Sequence, residues 1–358
     1  MSTLNIAIIG TGGITLQNHL PGLALCPDVR VHALCDANPA TLESARQQTG
    51  APVASTDWQA VVTRDDVHAV IIATPNFLHP DLAITAARHG KHVLCEKPLA
   101  LNAADARRMA AEADHAGVRH MTAFTYQFVP AMRYLRHLLD QGELGQPYHY
   151  RCLRLQDWGT RNLGWRQVRK LAGTGEIGDM LSHRIHFAHH LVGPMKRLVA
   201  NLRNLTPVRG GAPNDTDDWV AILAEFAGGA TGVLESSKLA SGHNESWRSL
   251  DYVEINGSGA TFQFTTGKWN ELQHGKAGGP GLKPLSVPPE FWVWPGSPRD
   301  PGAGDPLVAF RYDQAVEFIN AIREQRPCAI TFHDGARAQA VMDAAVDSAG
   351  RGCWVDLP

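Results

Sequence analysis

The sequence predicts an α/β protein with a doubly wound parallel sheet at the N-terminus, followed by a second α/β domain with a large, mainly antiparallel, open-faced sheet. Three observations support this prediction. Short apolar runs alternate with helical patterns over residues 5–125, a glycine-rich turn follows the first run, and longer strands of alternating polarity begin near residue 146. Strands that are buried on both faces and separated by helices pair in parallel through right-handed crossovers.

The first half carries five clear strand signals and a weaker one. They are residues 5–10, 29–36, 67–75, 91–98 and 119–124, with "APVAS" as the weaker run. Helical patterns lie between them, and the first has Asn38 as N-cap and Pro39 at the first helical position. Glycine ends two of these helices, as a left-handed C-cap prefers. We therefore expect residues 1–124 to form one doubly wound domain.

The second half of the chain has a different sequence pattern. Stretches such as "DDWVAILAEF" and "LDYVEINGSGATFQF" are joined by glycine-rich turns, which is typical of antiparallel sheets. Helices are expected at about residues 176–192, 308–325 and 335–350. Residues 275–306 are rich in proline and glycine but also carry several aromatic side chains, so this loop is expected to pack as a lid or at an interface. The second domain is taken as residues 125–358.

The composition argues against several classes of function. The chain has 33 Lys and Arg against 35 Asp and Glu, a formal charge of −2, so electrostatics give no reason to expect nucleic acid or an anionic membrane. No apolar stretch approaches the length of a membrane span. The start "MSTLNIAIIG" lacks a signal-peptide pattern, and six scattered cysteines show no C-x-x-C spacing. These features favour reduced thiols and a cytoplasmic location.

The turn "IIGTGGIT" places glycines directly after the first strand. Gly10 and Gly12 fill the first two positions of G-x-G-x-x-G, while Thr15 stands at the third, a departure expected to loosen the packing of helix on strand. Such a turn lets backbone N–H groups face a pyrophosphate at a helix N-terminus. Asp36 follows Gly13 by 23 positions, close to the spacing of a carboxylate that binds the adenosine ribose. Because Asp36 would repel a 2′-phosphate, NAD is favoured over NADP.

The segment "HVLCEKPLA" ends an apolar strand in Glu96, Lys97 and Pro98. Proline fixes the chain direction here, and ligands of doubly wound sheets bind beyond the carboxyl ends of the strands. "TPNFLH" (74–79) ends another strand on the same rim. Lys97 is therefore predicted to reach the nicotinamide of the cofactor, although a surface lysine paired with Glu96 is the ordinary alternative.

The segment "GTGEIGDMLSHRIHFAHH" places Asp179 and His183 four residues apart on a predicted helix, where they share a face. A carboxylate near an imidazole orients it and raises its basicity, which suits a group that takes a hydroxyl proton. A purely structural Asp–His pair is the competing interpretation. His186 and His190 continue the face, but no familiar metal-ligand pattern is completed, so we expect no metal.

The loop "QDWGTRNLGWRQVRK" precedes this helix and combines polar and aromatic residues. Polyol substrates are held by several hydrogen bonds and often by an aromatic platform. Trp158, Trp165 and Arg166 are therefore candidates for substrate binding. Tryptophans that only anchor the loop to the sheet are an equally good explanation.

Taken together, "IAIIGTGGIT…NHLPGL", "IIATPNFLHPDLAITAARHGKHVLCEKPLA" and "GEIGDMLSHRIH" resemble the glucose–fructose oxidoreductase/inositol dehydrogenase (Gfo/Idh/MocA) family over essentially the whole chain. The resemblance implies an N-terminal Rossmann domain and homodimers or homotetramers formed through the C-terminal sheet. It also implies Lys97, Asp179 and His183 as the catalytic trio. Tyr126 is kept in "TYQFVP", where many members have Tyr-Asn-x-Arg, and it is a further candidate for substrate binding.

The resemblance and the glycine turn together predict the residues that line the cofactor cleft. They are Gly10, Gly12, Gly13, Ile14, Asp36, Thr74, Pro75, Asn76, His79, Glu96 and Lys97.

The leading hypothesis is an NAD-dependent dehydrogenase that acts on a secondary hydroxyl of a sugar, sugar derivative or inositol. A redox-neutral enzyme that cleaves glycosides, as some family members do, is an alternative. A nucleotide-responsive regulator is a third hypothesis, and the presence of Lys97, Asp179 and His183 argues against it, because a sensor has no need of a proton relay.

Overall fold

The computed structural model describes residues 3–245 and 248–358, which divide into two compact units. The first unit comprises residues 1–124, 294–300 and 311–337, and the second comprises residues 125–293, 301–310 and 338–358. Among the described residues, no helix combines the length and the apolar character needed to cross a membrane.

The first unit is built on a parallel sheet of six strands. The strands are β1 (Leu4–Ile9), β2 (Val29–Cys35), β3 (Val53–Ser55), β4 (Ala69–Ile72), β5 (His92–Cys95) and β6 (His120–Thr122). Their order is β3-β2-β1-β4-β5-β6, with every neighbouring pair parallel. This order reverses direction between β1 and β4, and such a switch point is where doubly wound sheets bind dinucleotides.

Five helices connect these strands, and their ends follow the sequence signals. The helices are α1 (Leu20–Ala24), α2 (Pro39–Thr49), α3 (Trp58–Val62), α4 (His79–Arg88) and α5 (Ala103–His115). Asn38 caps α2 by accepting a hydrogen bond from the backbone N–H of Ala40 (2.9 Å), as expected. Gly50 ends that helix in the left-handed conformation. The β4 strand is fully buried, which explains its unbroken apolar run.

The second unit contains a sheet of nine strands that is mainly antiparallel, as predicted. The strands of this sheet are β7 (Pro147–Leu155), β8 (Met195–Arg203), β11 (Trp219–Phe226), β12 (Thr231–Ser237), β13 (Leu250–Gly257), β14 (Ala260–Thr265), β15 (Glu271–Lys276), β16 (Lys283–Ser286) and β17 (Val355–Asp356). A separate ribbon of two strands consists of β9 (Val208–Arg209) and β10 (Ala212–Pro213). The order is β16-β15-β14-β13-β7-β12-β11-β8-β17, in which β7 and β12 pair in parallel.

One face of this sheet is buried and the other is more open. On β11, Val220, Ile222 and Phe226 are buried while Leu223 between them is 51% exposed, so burial follows the two-residue period of a strand. On the buried side, the hydroxyl of Tyr150 in β7 donates to the backbone carbonyl oxygen of Arg184 (3.4 Å), so a helix lies against this face.

The remaining helices are α6 (Pro130–Asp140), α7 (Arg169–Ala172), α8 (Ser182–Leu191), α9 (Pro306–Ala309), α10 (Asp313–Arg323) and α11 (Phe332–Arg351). Helices α8, α10 and α11 lie where the sequence predicts them. The predicted loop at residues 275–306 packs against its own chain. Trp292 forms an edge-to-face contact with Trp269 (5.3 Å between ring centroids), and the indole N–H of Trp294 donates to Glu317 (2.8 Å).

Candidate active site

The glycine turn after β1 is tightly constrained at one position and open at the next. Gly10 has φ of +93°, and a Cβ atom there would lie 2.4 Å from the carbonyl oxygen of Ala73. Only glycine fits this close approach of two strand ends. At Gly12, by contrast, a Cβ atom would have no described atom within 4 Å. The turn therefore leaves open space beside its backbone, as a bound phosphate requires.

Asp36 lies at the end of β2 and contacts the glycine turn directly. One carboxylate oxygen accepts hydrogen bonds from the backbone N–H (2.7 Å) and hydroxyl (3.1 Å) of Thr11, and the other accepts from the backbone N–H of Asn38 (2.9 Å). These bonds fix the carboxylate against the turn. Three of the four lone-pair sites of the carboxylate are used by these bonds, and the oxygen that accepts from Asn38 keeps one with which the half-buried group can accept a hydrogen bond from a ribose.

The helix after the turn begins with a π-helical segment, Thr15–His19, that continues into α1. Thr15 is fully buried, and its hydroxyl donates to the carbonyl oxygen of Gly10 (2.6 Å). This hydrogen bond connects the helix to the turn, whereas Thr15 at the third position of the motif was expected to loosen the packing of the helix on the strand. Asn18 is 2% exposed, and no described residue hydrogen-bonds to its side-chain amide.

A buried hydrogen bond between His19 and Glu96 supports the segment at residues 96–98. Glu96 accepts a hydrogen bond from His19 (3.0 Å), and both side chains are buried. Burial works to raise the pKa of Glu96, but the hydrogen bond from His19 and the charges of His19 and Lys97 lower it on balance. The Lys97–Pro98 peptide is cis, and Lys97 is half-buried. Glu96 therefore stays ionised directly beside Lys97.

His79 links the segments that follow β4 and β5. One ring nitrogen lies 3.0 Å from the carbonyl oxygen of Pro98, and the other lies 3.1 Å from that of Thr74. Burial lowers the pKa of His79, while the two carbonyl contacts oppose this shift. Asn76 is buried in the short 3₁₀ turn Asn76–Leu78 between these partners. His79 thus acts within the protein, and its predicted contact with a cofactor stays a prediction.

In the second unit, Asp179 and His183 lie on one continuous helical segment. Asp179 belongs to a π-helical turn, Ile177–Leu181, which runs directly into α8, the helix that carries His183. The helical segment after the glycine turn and the one that carries Asp179 thus both contain π-helical turns, which occur often at functional sites. Asp179 is half-buried, and His183 is 3% exposed.

The start of this segment is fixed by Asp217, which lies about forty residues further along the chain. Its two carboxylate oxygens accept hydrogen bonds from the backbone N–H groups of Gly175 (2.6 Å) and Ile177 (2.9 Å). A Cβ atom at Gly175 would lie 2.0 Å from the carbonyl oxygen of Asp217, so no other residue fits there. A carboxylate at a helix N-terminus satisfies its unpaired N–H groups and complements its dipole.

His183 packs against Tyr126. Their ring centroids are 4.7 Å apart, and the guanidinium of Arg184 lies 4.5 Å from the centroid of the same tyrosine ring. Arg184 is fully buried and pairs with Asp251, which Arg154 also contacts (3.5 Å). Burial and the charge of Arg154 lower the pKa of Arg184 to about 10. Tyr126 is therefore held between a catalytic candidate and a buried cation.

Positively charged side chains lie over the tryptophan rings of the predicted substrate loop. Arg166 lies 4.4 Å from the ring centroid of Trp165, and both Arg161 (5.2 Å) and Lys238 (5.4 Å) lie over Trp158. Trp165 is half-buried and Arg166 is exposed. The structure thus brings Trp165 and Arg166 together as a stacked pair, whose role in substrate binding stays a prediction.

Several residues that organise the site were missed by the sequence analysis. His19 and Asp217 support predicted residues through contacts between distant parts of the chain, and no local pattern identifies them. Glu176, which is fully buried near Asp179, lies inside the quoted segment "GEIGDMLSHRIH" and could have been noticed as a charged residue among apolar neighbours.

One group of side chains in the described part of the chain has the spacing of metal ligands, namely Asp114, His120 and His333. His120 accepts a hydrogen bond on Nδ1 from the backbone N–H of Phe332 (3.0 Å), so its Nε2 carries the proton that Asp114 accepts (3.0 Å). A protonated nitrogen cannot bind a metal. This group is therefore a hydrogen-bonded cluster.

Comparisons with known proteins agree with the fold. Residues 4–124 match the oxidoreductase family with an NAD-binding Rossmann fold, and residues 132–263 match the GFO/IDH/MocA C-terminal domain. The chain therefore belongs to the Gfo/Idh/MocA family of oxidoreductases, and its first unit contains an NAD-binding Rossmann domain.

The most informative relatives are sugar and cyclitol enzymes. The chain is 31% identical over 396 residues to levoglucosan dehydrogenase of Pseudarthrobacter phenanthrenivorans, with 100% of this chain and 99% of that protein covered. It is 29% identical to myo-inositol 2-dehydrogenase of Thermotoga maritima, covering 66% and 69% of the two chains. It is 30% identical to 2,7-anhydro-N-acetylneuraminate hydratase of Mediterraneibacter gnavus, covering 66% and 62%. A solved structure of levoglucosan dehydrogenase in complex with NADH and levoglucosan has a TM-score of 0.91, 30% identity and full coverage of both chains.

The residues around the glycine turn fit NAD. Gly12 leaves the space that a pyrophosphate needs, and Asp36 presents a fixed carboxylate. Polar atoms of Asn18 and Thr74 are buried without a hydrogen-bond partner among the described residues, and such groups need a partner. A polar ligand in this place would supply one.

Proposed function

We propose that this protein is an NAD-dependent dehydrogenase that oxidises a secondary hydroxyl of a sugar, an anhydro sugar or a cyclitol. The observation that supports this most is the helical segment that carries Asp179 and His183, which Asp217 caps and Tyr126 packs against. The chain is similar over its whole length to a levoglucosan dehydrogenase, whose substrate is an anhydro sugar.

The chemistry divides between the cofactor and the protein. Bound NAD supplies a nicotinamide ring that accepts a hydride from the carbon that carries the hydroxyl. His183 takes the hydroxyl proton as a general base, so that the alcohol loses one hydride and one proton and becomes a ketone. Asp179 orients His183 and stabilises the imidazolium that forms.

Lys97 has a separate role in this proposal. Its ammonium group donates a hydrogen bond to the reacting oxygen and stabilises the negative charge that develops there. Glu96, which accepts a hydrogen bond from His19, places a carboxylate directly beside Lys97. The contact of His79 with the carbonyl oxygen of Pro98 fixes the backbone next to Lys97.

The remaining predicted residues bind the two ligands. Asp36 accepts hydrogen bonds from the adenosine ribose and repels a 2′-phosphate, so NAD is preferred to NADP. Ile14, Thr74, Pro75 and Asn76 line the cofactor cleft. Tyr126, Trp158, Trp165 and Arg166 contact the substrate, where the stacked Trp165–Arg166 pair offers a flat apolar ring and hydrogen-bond donors to a sugar.

A substrate screen tests this proposal. Purified protein is mixed with levoglucosan, myo-inositol, hexoses, pentoses and methyl glycosides, each with NAD and with NADP, and NADH absorbance is followed. We expect net NADH with at least one of these compounds and a preference for NAD. No reduction of either cofactor across the panel, in protein that binds NADH, would contradict the proposed activity.

A redox-neutral reaction is the second candidate, because one relative is named as a hydratase of an anhydro sugar. Such an enzyme would consume an anhydro sugar or glycoside with a catalytic amount of NAD and without net NADH. The same screen, with products separated by chromatography, distinguishes the two candidates: the ketone forms with NADH in the first, and a hydrated or cleaved product forms without NADH in the second.

We also propose that the chain assembles as a homodimer or homotetramer through the open face of the nine-stranded sheet. That face carries the exposed apolar side chain of Leu223 (51%), which is costly to leave in water. Light scattering after gel filtration should give two or four times the 38.9 kDa of one chain. Leu223→Glu should lower that mass, and a monomeric wild-type protein would contradict the proposal.

A further inference from the structure

Glu176 is a fully buried carboxylic acid at the start of the helical segment that carries the proposed catalytic residues. The hydroxyl of Ser236 hydrogen-bonds to its Oε1, and the ammonium of Lys238 lies 3.8 Å from its Oε2. Lys238 is itself 1% exposed. No described group hydrogen-bonds to Oε2. The structure therefore buries an acid and a base together with one acceptor left unsatisfied.

This arrangement is poorly suited to a stabilising role. Moving two charged groups out of water costs several kcal/mol each, and only good geometry with full hydrogen bonding recovers that cost. At 3.8 Å the Glu176–Lys238 pair is long, and its carboxylate is only partly satisfied. An apolar pair of similar volume would serve stability as well. A buried, incompletely paired acid next to a proposed reaction centre is a candidate for function.

The contacts of Ser236 suit a carboxyl group that gains and loses a proton. The hydroxyl of Ser236 lies within hydrogen-bond distance of two acceptors, Glu176 and the carbonyl oxygen of Arg154 (3.2 Å). A hydroxyl has only one proton to donate. When it donates to Arg154, the contact with Glu176 needs a proton on the carboxyl group. When it donates to Glu176, the carboxylate can be ionised.

The charged groups around Glu176 come from three directions. Asp179 lies three residues further along the same helical segment, Asp217 precedes β11 and caps that segment, and Lys238 follows β12. Burial raises the pKa of Glu176 most, Lys238 and Ser236 oppose the rise, the charges of Asp179 and Asp217 add to it, and the net pKa is about 7. A pKa of about 7 places the change in charge of Glu176 near neutral pH.

Lys238 connects Glu176 to the predicted substrate loop. Its ammonium lies 5.4 Å from the ring centroid of Trp158, and its backbone carbonyl accepts a hydrogen bond from the backbone N–H of Trp158 (2.8 Å). The same lysine therefore contacts the acid beside Asp179 and the loop that we propose holds the substrate.

We propose that Glu176 is a positioning residue that acts through Asp179: by exchanging a proton beside Lys238 it sets the negative charge felt by the Asp179–His183 pair. When Glu176 is ionised, the added negative charge favours the protonated form of His183 and makes it a stronger base. When Glu176 is protonated, Asp179 acts alone. The proposal deepens the proposed function and rests on it for its kinetic consequence.

The kinetic test compares the pH dependence of kcat/KM in wild-type protein and Glu176→Gln, with the substrate found in the screen. Glutamine keeps the size of the side chain and cannot ionise. We expect two ionisations in the rising limb of the wild-type profile and one in that of the variant, since His183 remains. Lys238→Met should move the ionisation that belongs to Glu176 to higher pH, because the opposing positive charge is lost. Profiles that coincide for wild type and Glu176→Gln would overturn the proposal.

A second measurement separates failure of this proposal from failure of the proposed function. The infrared carboxyl band that is present in wild-type protein and absent from Glu176→Gln is titrated without substrate or cofactor. Loss of that band as pH rises through about 7 supports the proton exchange, even if no dehydrogenase activity is found. A band that is absent at every pH would show a permanently ionised Glu176 and would refute the proposal. Circular dichroism and NADH binding confirm that each variant folds.

Discussion

The buried acid Glu176 predicts a specific dependence of stability on pH. Its pKa is raised by burial from 4.5 to about 7 in the folded protein. An acid whose pKa is higher in the folded state binds its proton more tightly there, so its contribution favours folding at low pH. That contribution is complete below the unfolded pKa and is lost as pH rises towards 7.

The size of the effect follows from the shift. A shift of about 2.5 pKa units at about 1.4 kcal/mol each gives about 3 kcal/mol, which wild-type protein should lose, relative to Glu176→Gln, between about pH 4.5 and pH 8. Glutamine resembles the protonated acid at every pH, so the contribution of residue 176 is constant in the variant. Titrating groups that are distant from Glu176 change both proteins equally and cancel in the difference.

Urea unfolding at several pH values, at fixed protein concentration, measures this difference. Glu290→Gln, at an exposed glutamate, serves as the control and should run parallel to wild type throughout. If the free energies of unfolding of wild type and Glu176→Gln also run parallel from about pH 5 to about pH 8, the reasoning about burial of Glu176 is wrong.

Four further predictions concern the cofactor and catalytic residues. Lys97→Ala should lower kcat about 100-fold or more while NADH affinity, measured by fluorescence, stays near that of wild type; exposed Lys170→Ala is the control, and near-normal turnover in Lys97→Ala would exclude the catalytic role. Asp36→Ala should reduce the preference for NAD over NADP in kcat/KM, and an unchanged ratio would contradict the ribose contact. Gly10→Ala should lower stability by about 1–3 kcal/mol because its φ is positive and its Cβ would clash. Gly12→Ala should leave thermal stability almost unchanged but weaken NADH binding, since its Cβ enters open space.

Much of the fold was predictable because its signals are local. The alternation of apolar runs with capped helices identified the parallel sheet, and the glycine turn followed by Asp36 identified the dinucleotide-binding end of it. The strand β8 (Met195–Arg203) was not singled out, because its burial does not follow a regular alternation. The π-helical turn at Ile177–Leu181 was also not predicted, since the same residues satisfy the pattern of an ordinary α-helix.

The contacts that hold the candidate site in place could not be predicted from the sequence, because they join distant parts of the chain. His19 and Glu96 are 77 residues apart in the chain, and Asp217 is 42 residues from Gly175. The composition and hydrophobic periodicity of these segments do not show which residues will be in contact. Such contacts depend on how distant elements pack and not on local propensity. Glu176 shows this most clearly: the sequence places it in a helix, whereas its neighbours Ser236 and Lys238, and therefore its protonation, follow from the packing of that helix on β12.

The sequence by itself thus determined the order of the elements and the types of reactive group, since hydrophobic period, glycine positions and motif spacing are properties of short segments. Only the tertiary structure decided which ionisable groups are buried and paired. Burial and charge proximity set the pKa of a side chain, and both arise when distant segments of the chain come together.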